Sequence, residues 1–198
     1  MKISGAYRPL SMILAGALAG SAFAKPVTYT MDPNHTYPSF VADHMGGLSQ
    51  WRGKINSSHG TVVLDKAART GTIDVTMEMG TVDFGNPALN EHVKAAPNLF
   101  DTKKYPTARY TGKLVKWKNG APTAADGTLS WHGVTKPLML KIDSFKCEPS
   151  PMHKGNERCG AEATAHFQRD AFGVDLGKSG GFRMGVTLHI QVEAEAPM

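Results

Sequence analysis

Phe182-Arg183-Met184-Gly185-Val186-Thr187-Leu188-His189-Ile190-Gln191-Val192-Glu193 is the stretch that decides the fold class. It sets Phe182, Met184, Val186, Leu188, Ile190 and Val192 against Arg183, Thr187, His189, Gln191 and Glu193. Side chains with a period of two lie on opposite faces of a strand, so this segment predicts a strand with one wet face and one buried face. The pattern recurs upstream. Ile73, Val75, Met77 and Met79 alternate with Thr72, Asp74, Thr76 and Glu78. Leu138, Leu140 and Ile142 alternate with Met139, Lys141 and Asp143. Ala161, Ala163, Ala165 and Phe167 alternate with Glu162, Thr164, His166 and Gln168.

Less regular strands are expected over 27–31, 39–45, 51–56, 60–64, 109–117 and 127–131. Turn signals fall between them: Asp32-Pro33-Asn34, Gly46-Gly47, Ala68 to Gly71, Asn119-Gly120 and Asp126-Gly127. Pro87 to Ala96 breaks the alternation. Leu89, Val93 and Ala96 fall on one helical face there, which predicts one short helix. The chain is thus read as all-β, an antiparallel meander of about eight strands with one helix. Such a meander hides its edges by closing into a barrel or folding into a sandwich. The inward alanines at 161, 163 and 165 lean towards a barrel with room inside, unless a bulky neighbour such as Trp117 or Trp131 fills the space. Eight strands is about the size at which a barrel can hold one ligand.

The N-terminus reads as an export signal over residues 1–24. Lys2 and Arg8 precede an apolar run from Leu10 to Gly20, and Ala22-Phe23-Ala24 offers small-x-small cleavage before Lys25. That run is too short to span a membrane, which takes roughly 20 residues, and no later segment reads as a spanning helix. Cleavage leaves 198 − 24 = 174 residues, expected to form one domain over residues 25–198 in the periplasm. The formal charge of +5 becomes 20 − 17 = +3 without Lys2 and Arg8. Its basic residues are scattered, which argues against nucleic-acid binding. Cys147 and Cys159 are the two cysteines, and an even count in an exported chain predicts a disulfide.

Catalytic signatures are missing: no Gly-x-Ser-x-Gly elbow, no phosphate-binding loop, no dinucleotide fingerprint and no His-Glu-x-x-His. The eight histidines show no pairing at metal-ligand spacing. The chain is therefore read as a non-enzyme without cofactor or metal.

One ordered series remains. Asp32-Pro33-Asn34-His35-Thr36 leads to Phe40 and Asp43-His44-Met45-Gly46-Gly47-Leu48-Ser49. Asn98-Leu99-Phe100-Asp101 and Lys104-Tyr105-Pro106-Thr107 follow. Then come the stretch from Gly127 to Pro137 and Arg169-Asp170-Ala171-Phe172-Gly173-Val174-Asp175. From about Tyr29 to Glu193 this series resembles the YceI-like family of polyisoprenoid-binding periplasmic proteins. It departs from the family at Thr81-Val82-Asp83-Phe84, where Ser-Ile-Asp-Thr is common, and at Asn90-Glu91-His92-Val93, where Asp-x-His-Leu is common.

The resemblance implies a lipocalin-like barrel whose apolar tunnel takes a polyisoprenoid or another long-chain amphiphile. Val75, Met77, Tyr110, Leu129, Trp131, Leu140, Ala163, Phe167, Met184 and Leu188 are the expected tunnel residues. His44, Asn90 and His92 are the expected head-group contacts. Arg169 is a fourth, although pairing with Asp170 or Asp175 across a turn is the favoured reading for it. The competing readings are a filled barrel that serves as an interaction or stress-response module, and a hydrolase or metalloprotein. The lipid's identity and the pairing of two chains into a homodimer stay open at this point.

Overall fold

The computed structural model describes residues 25–198, so the expected signal over residues 1–24 lies outside it. Among the described residues there are eleven strand segments and one α-helix. They are β1 Val27–Met31, β2 Tyr37–His44, β3 Ser49–Ile55, β4 Ser58–Asp65, β5 Thr70–Glu78, β6 Val82–Asp83, α1 Pro87–Ala95, β7 Thr107–Lys118, β8 Ala121–Trp131, β9 Val134–Pro149, β10 Asn156–Gln168 and β11 Gly185–Pro197. The sheet is antiparallel and runs β1-β4-β5-β7-β8-β9-β10-β11-β2-β3-β6, with a further pairing of β1 to β11.

Three of the strands are bent rather than broken. β1 continues as β2 across the 3-10 turn Pro33–His35, β3 continues as β4 across Asn56 and Ser57, and β5 continues as β6 across Met79–Thr81. Merging these pairs leaves eight strands, each beside its neighbour in sequence, in a closed barrel. The bends sit side by side. Asn56 N donates to Thr81 O (3.2 Å), Ser57 N to Thr81 Oγ1 (3.0 Å) and Glu78 N to Ser57 O (3.0 Å). The backbone groups freed by one bend are thereby satisfied by the next. The barrel's far end carries the hairpins after β4, β7 and β9. Its near end carries α1 and the longer connections.

The strands form where the period of two placed them, with instructive differences. Asp126-Gly127 is not a turn: β8 runs straight through it, with Asp126 opposite Lys113 and Gly127 opposite Gly112. The glycine serves an inward side chain, as described below. Asn119-Gly120 and the unforeseen His132-Gly133 do form two-residue hairpins, all four residues having positive φ. The last strand starts at Gly185 and not at Phe182. The Cys147 to Cys159 stretch is a lengthened hairpin. Cys147 and Cys159 face each other across β9 and β10 and are joined by a disulfide. α1 is capped by the Asn86 side chain, which accepts from Leu89 N (3.1 Å), and Pro87 takes a first-turn position where no amide is needed.

β11 closes the ring on the bent first strand, pairing with β2 from Gln191–Tyr37 to Val186–Ala42 and with β1 through Thr30–Glu195 and Met31–Ala194. Side chains reinforce this seam. The buried Arg158 guanidinium on β10 donates to Glu195 (2.9 Å), Glu193 (2.7 Å) and Asp32 (2.5 Å), tying β10, β11 and the end of β1 together. The donation from Ser150 to Glu195 (2.6 Å), with those from His153 and Asn156 and the Arg158 charge, outweighs burial and lowers the Glu195 carboxyl from 4.5 to about 2. A carboxyl lowered by folding stabilises the fold above its unfolded value, and that contribution is lost as pH falls through the folded value. The melting midpoint should therefore fall as pH drops from 4.5 to about 2. The Glu195→Gln variant should show a shallower fall in melting curves over the same range, and equal slopes would contradict the seam's role.

Candidate functional site

The inner face of the barrel encloses a cavity of about 250 Å³, lined almost wholly by carbon. Its walls follow from the alternation. Ala108, Ala125, Ala163 and Ala194 present only a methyl group to the inside, so opposing walls do not meet. Val62, Ile73, Val75, Met77, Ile142, Leu188, Ile190 and Val192 also line the cavity, yet each stays half-exposed because it faces empty space. Close-packed interiors leave few voids larger than a water molecule, so such exposure on inward residues marks a hollow. A register shift between Glu162 and Ala163 bulges β9, which lets both Ile142 and Phe145 turn inward.

Tyr110 brings a polar tip to this wall. Its single phenol proton is shared between Ala125 O (3.2 Å) and Leu138 O (3.1 Å). Burial first, and Asp126 second, push that phenol above its ordinary value. The ring lies across two glycines. A Cβ on Gly127 would meet Tyr110 Cζ at 2.7 Å, and one on Gly112 would meet its hydroxyl at 3.1 Å.

The far end is shut. Tyr29 and Leu64 are 2 % exposed and Ala125 is fully buried. There the Tyr29 phenol donates to Glu157, which also takes a bond from Lys66 (2.6 Å). Burial would raise the Glu157 carboxyl, but Lys66 and Tyr29 more than offset it and leave it below its ordinary value. Among the described residues, the one trio of potential metal ligands is Cys147, Glu157 and Cys159, and its two sulfurs are bound to each other.

The near end is roofed by the connecting segments: Phe84, Val93, Leu99, Phe100, Val174, Leu176 and Phe182 reach the cavity from outside the main strands. Aromatic rings run across it. Trp51 meets Phe84 (5.9 Å), Phe84 meets Phe40 (5.5 Å), and Phe40 meets Phe100 (6.1 Å). Phe100 meets Trp131 edge-on (5.2 Å), and Trp131 meets Phe167 (6.0 Å). Edge-to-face contacts of this kind add to plain burial. The charged lining residues, Asp43 and Arg169, both belong to this end. Arg169 does not pair with Asp170 or Asp175 by hydrogen bond. Its Nη1 donates to Val174 O (2.8 Å) and its Nη2 to Leu176 O (2.8 Å), fixing the loop beneath the roof. Burial pulls its guanidinium below the usual range, partly countered by Asp170, Asp175 and Asp43. Asp43 accepts from Gly46 N (2.9 Å) and Arg183 N (3.0 Å).

Of the expected tunnel residues, Val75, Met77, Tyr110, Leu129, Trp131, Leu140, Ala163, Phe167 and Leu188 line the cavity. Met184 does not. It is buried beside the barrel in the loop before β11, its carbonyl accepting from Arg169 N (2.9 Å). The three expected head-group contacts also lie off the cavity. The His44 ring stacks on Trp51 (4.6 Å) and meets the Phe182 edge (5.5 Å). Its Nδ1 lies 3.2 Å from Ser49 Oγ, but no carboxylate bonds that ring among the described residues. Asn90 is a brace, accepting from Phe84 N (2.8 Å) and donating to Asp83 (3.0 Å). His92 is exposed on the outer side of α1. The roof residues Phe84 and Phe100 fall in the stretches compared with the family but are not among the expected tunnel residues, because they lie in connections without periodicity.

Several known proteins share this architecture. The family described as YceI-like domain matches residues 29–196. Protein YceI of Escherichia coli O157:H7 is 30% identical over 162 residues, covering 80% of this chain and 82% of that one. The crystal structure of Burkholderia cenocepacia BcnA aligns with a TM-score of 0.63 at 18% identity, covering 83% of this chain and 99% of the other. A polyisoprenoid binding domain from Saccharophagus degradans, implicated in plant cell wall breakdown, aligns with a TM-score of 0.59 at 14% identity, covering 86% and 99%.

The glycine seat of Tyr110 can be tested directly. Gly127→Ala should cost about 1–3 kcal/mol of stability through overpacking against Tyr110 and Thr111 O. Urea unfolding measures it, and an unchanged midpoint would show that the ring is free to move.

Proposed function

Because the chain belongs to the YceI-like family, we propose that it binds one long-chain amphiphile, a polyisoprenoid in the first instance, and carries or buffers it in the periplasm. The observation that carries this reading is the cavity: a deep, closed-ended hollow with almost no polar surface. Met77 and Met79 suit it to a flexible tail, because methionine adapts its shape. Each buried methylene gains roughly 0.8 kcal/mol, so a few isoprene units give a substantial gross affinity. The tail points to the shut end near Tyr29, and the polar head rests by Asp43 and Arg169. The domain from Saccharophagus degradans described as polyisoprenoid binding suggests the ligand class. Export by the signal over residues 1–24 delivers the protein to a compartment where a free apolar tail is costly. No helix among the described residues is long and apolar enough to cross a membrane. The role is binding without catalysis. A filled barrel acting as an interaction module would need its inner side chains to meet across the axis, and here they line a void.

Organic extraction of the purified protein, followed by mass spectrometry, should recover about one amphiphile per chain. Ala163→Leu should reduce that recovery roughly tenfold while leaving the melting midpoint unchanged or higher, because the added carbons enter space the ligand would use. No amphiphile from the wild-type protein, together with a large loss of stability in Ala163→Leu, would mean the interior is already packed, and would overturn the proposal.

A further inference from the structure

We propose that the hairpin tip Met45–Leu48 is the surface with which this protein docks on an anionic lipid bilayer. The inference rests on the lipid-carrying reading and adds where the lipid is exchanged. Met45 is 56 % exposed and Leu48 is 76 % exposed, three residues apart on one tight turn closed by Leu48 N on Met45 O (3.4 Å). Positive φ at Met45, Gly46 and Gly47 fixes that turn, and Gly46 packs beside the carbonyl of Gly181. Two large apolar side chains are thus held out in water by a stiff tip that makes no use of them.

Their place in the barrel matters more than their exposure. The tip joins β2 to β3 at the near end of the cavity, and Asp43, two residues before Met45, already lines it. Phe182, edge-on to His44, lines it from the other side of the tip. The other strongly exposed apolar residues have no such setting. Met139 is alone on β9, and Val27, Met152 and Met198 sit at the shut end.

The charges around the tip select the surface. The Arg183 guanidinium lies against Gly47, and Arg52 bonds only Gln50 (3.1 Å). Neither forms an ion pair among the described residues. Asp43 is spent on the amides of Gly46 and Arg183, and Asp170 is paired with Lys178 (2.7 Å). An apolar tip flanked by unpaired arginines matches the interfacial region of a bilayer, where acyl chains take the side chains and anionic headgroups take the cations.

The test is co-sedimentation of the protein with vesicles of phosphatidylcholine, alone or with added phosphatidylglycerol. Binding should be stronger with phosphatidylglycerol and should weaken as salt is added. The double variant Met45→Ser, Leu48→Ser should lose roughly tenfold in vesicle affinity, whereas Met152→Ser at the shut end should not. Leu48→Trp should add an emission band that shifts to the blue only when phosphatidylglycerol vesicles are present. Failure of the wild-type protein to bind either vesicle, or equal binding by the double variant, would overturn the docking surface. Extraction separates this from the carrier reading. The double variant should still yield about one amphiphile per chain. If extraction from every form yields none while vesicle binding stays tip-dependent, docking stands and the cargo reading falls.

Discussion

The structure depends on one mismatch: eight strands close into a ring whose inward side chains are too small to fill it. Closure fixes the circumference, and the alternation of each strand fixes which residues point in. Alanine at 108, 125, 163 and 194 then leaves the walls apart. A chain free to collapse would bring valines and leucines together. Here the hydrogen-bonded ring prevents it, with each strand paired on both sides and the seam drawn shut by Arg158. The stability that a filled core would supply has to come from elsewhere. The ladder, the capped far end, the disulfide and the aromatic roof all contribute.

Much of this was legible in the residues. The period of two located most strands, and the short helix declared itself through Leu89 and Val93. Sequence could not separate barrel from sandwich, because closure depends on which distant strands pair. It also misread Asp126-Gly127. That dipeptide favours a tight turn locally, yet here its glycine clears space for a ring two strands' width of backbone must accommodate. The same confusion hid the three bends, where Pro33, Ser57 and Thr81 interrupt strands without ending them.

The candidate site divides along the same line. Wall residues such as Val75, Leu140 and Leu188 could be read from alternation, since inward position and cavity lining coincide in a hollow barrel. The polar end could not. His44, Asn90 and His92 are polar and near turns, but their partners are Trp51, the Phe84 amide and solvent. Asp43 and Arg169 reach the cavity instead, held by backbone groups that no periodicity reveals. Met184 shows the converse: it kept the alternating phase of its segment, but the strand had not yet begun there.

The central claim is that the ring surrounds an apolar void. Diffraction from delipidated crystals held under xenon tests it most directly, because a dry apolar cavity takes up xenon where a packed core does not. The account predicts xenon density inside the ring, bounded by Val75, Leu140, Ala163 and Leu188. Side chains meeting across the axis, with no xenon between them, would contradict it.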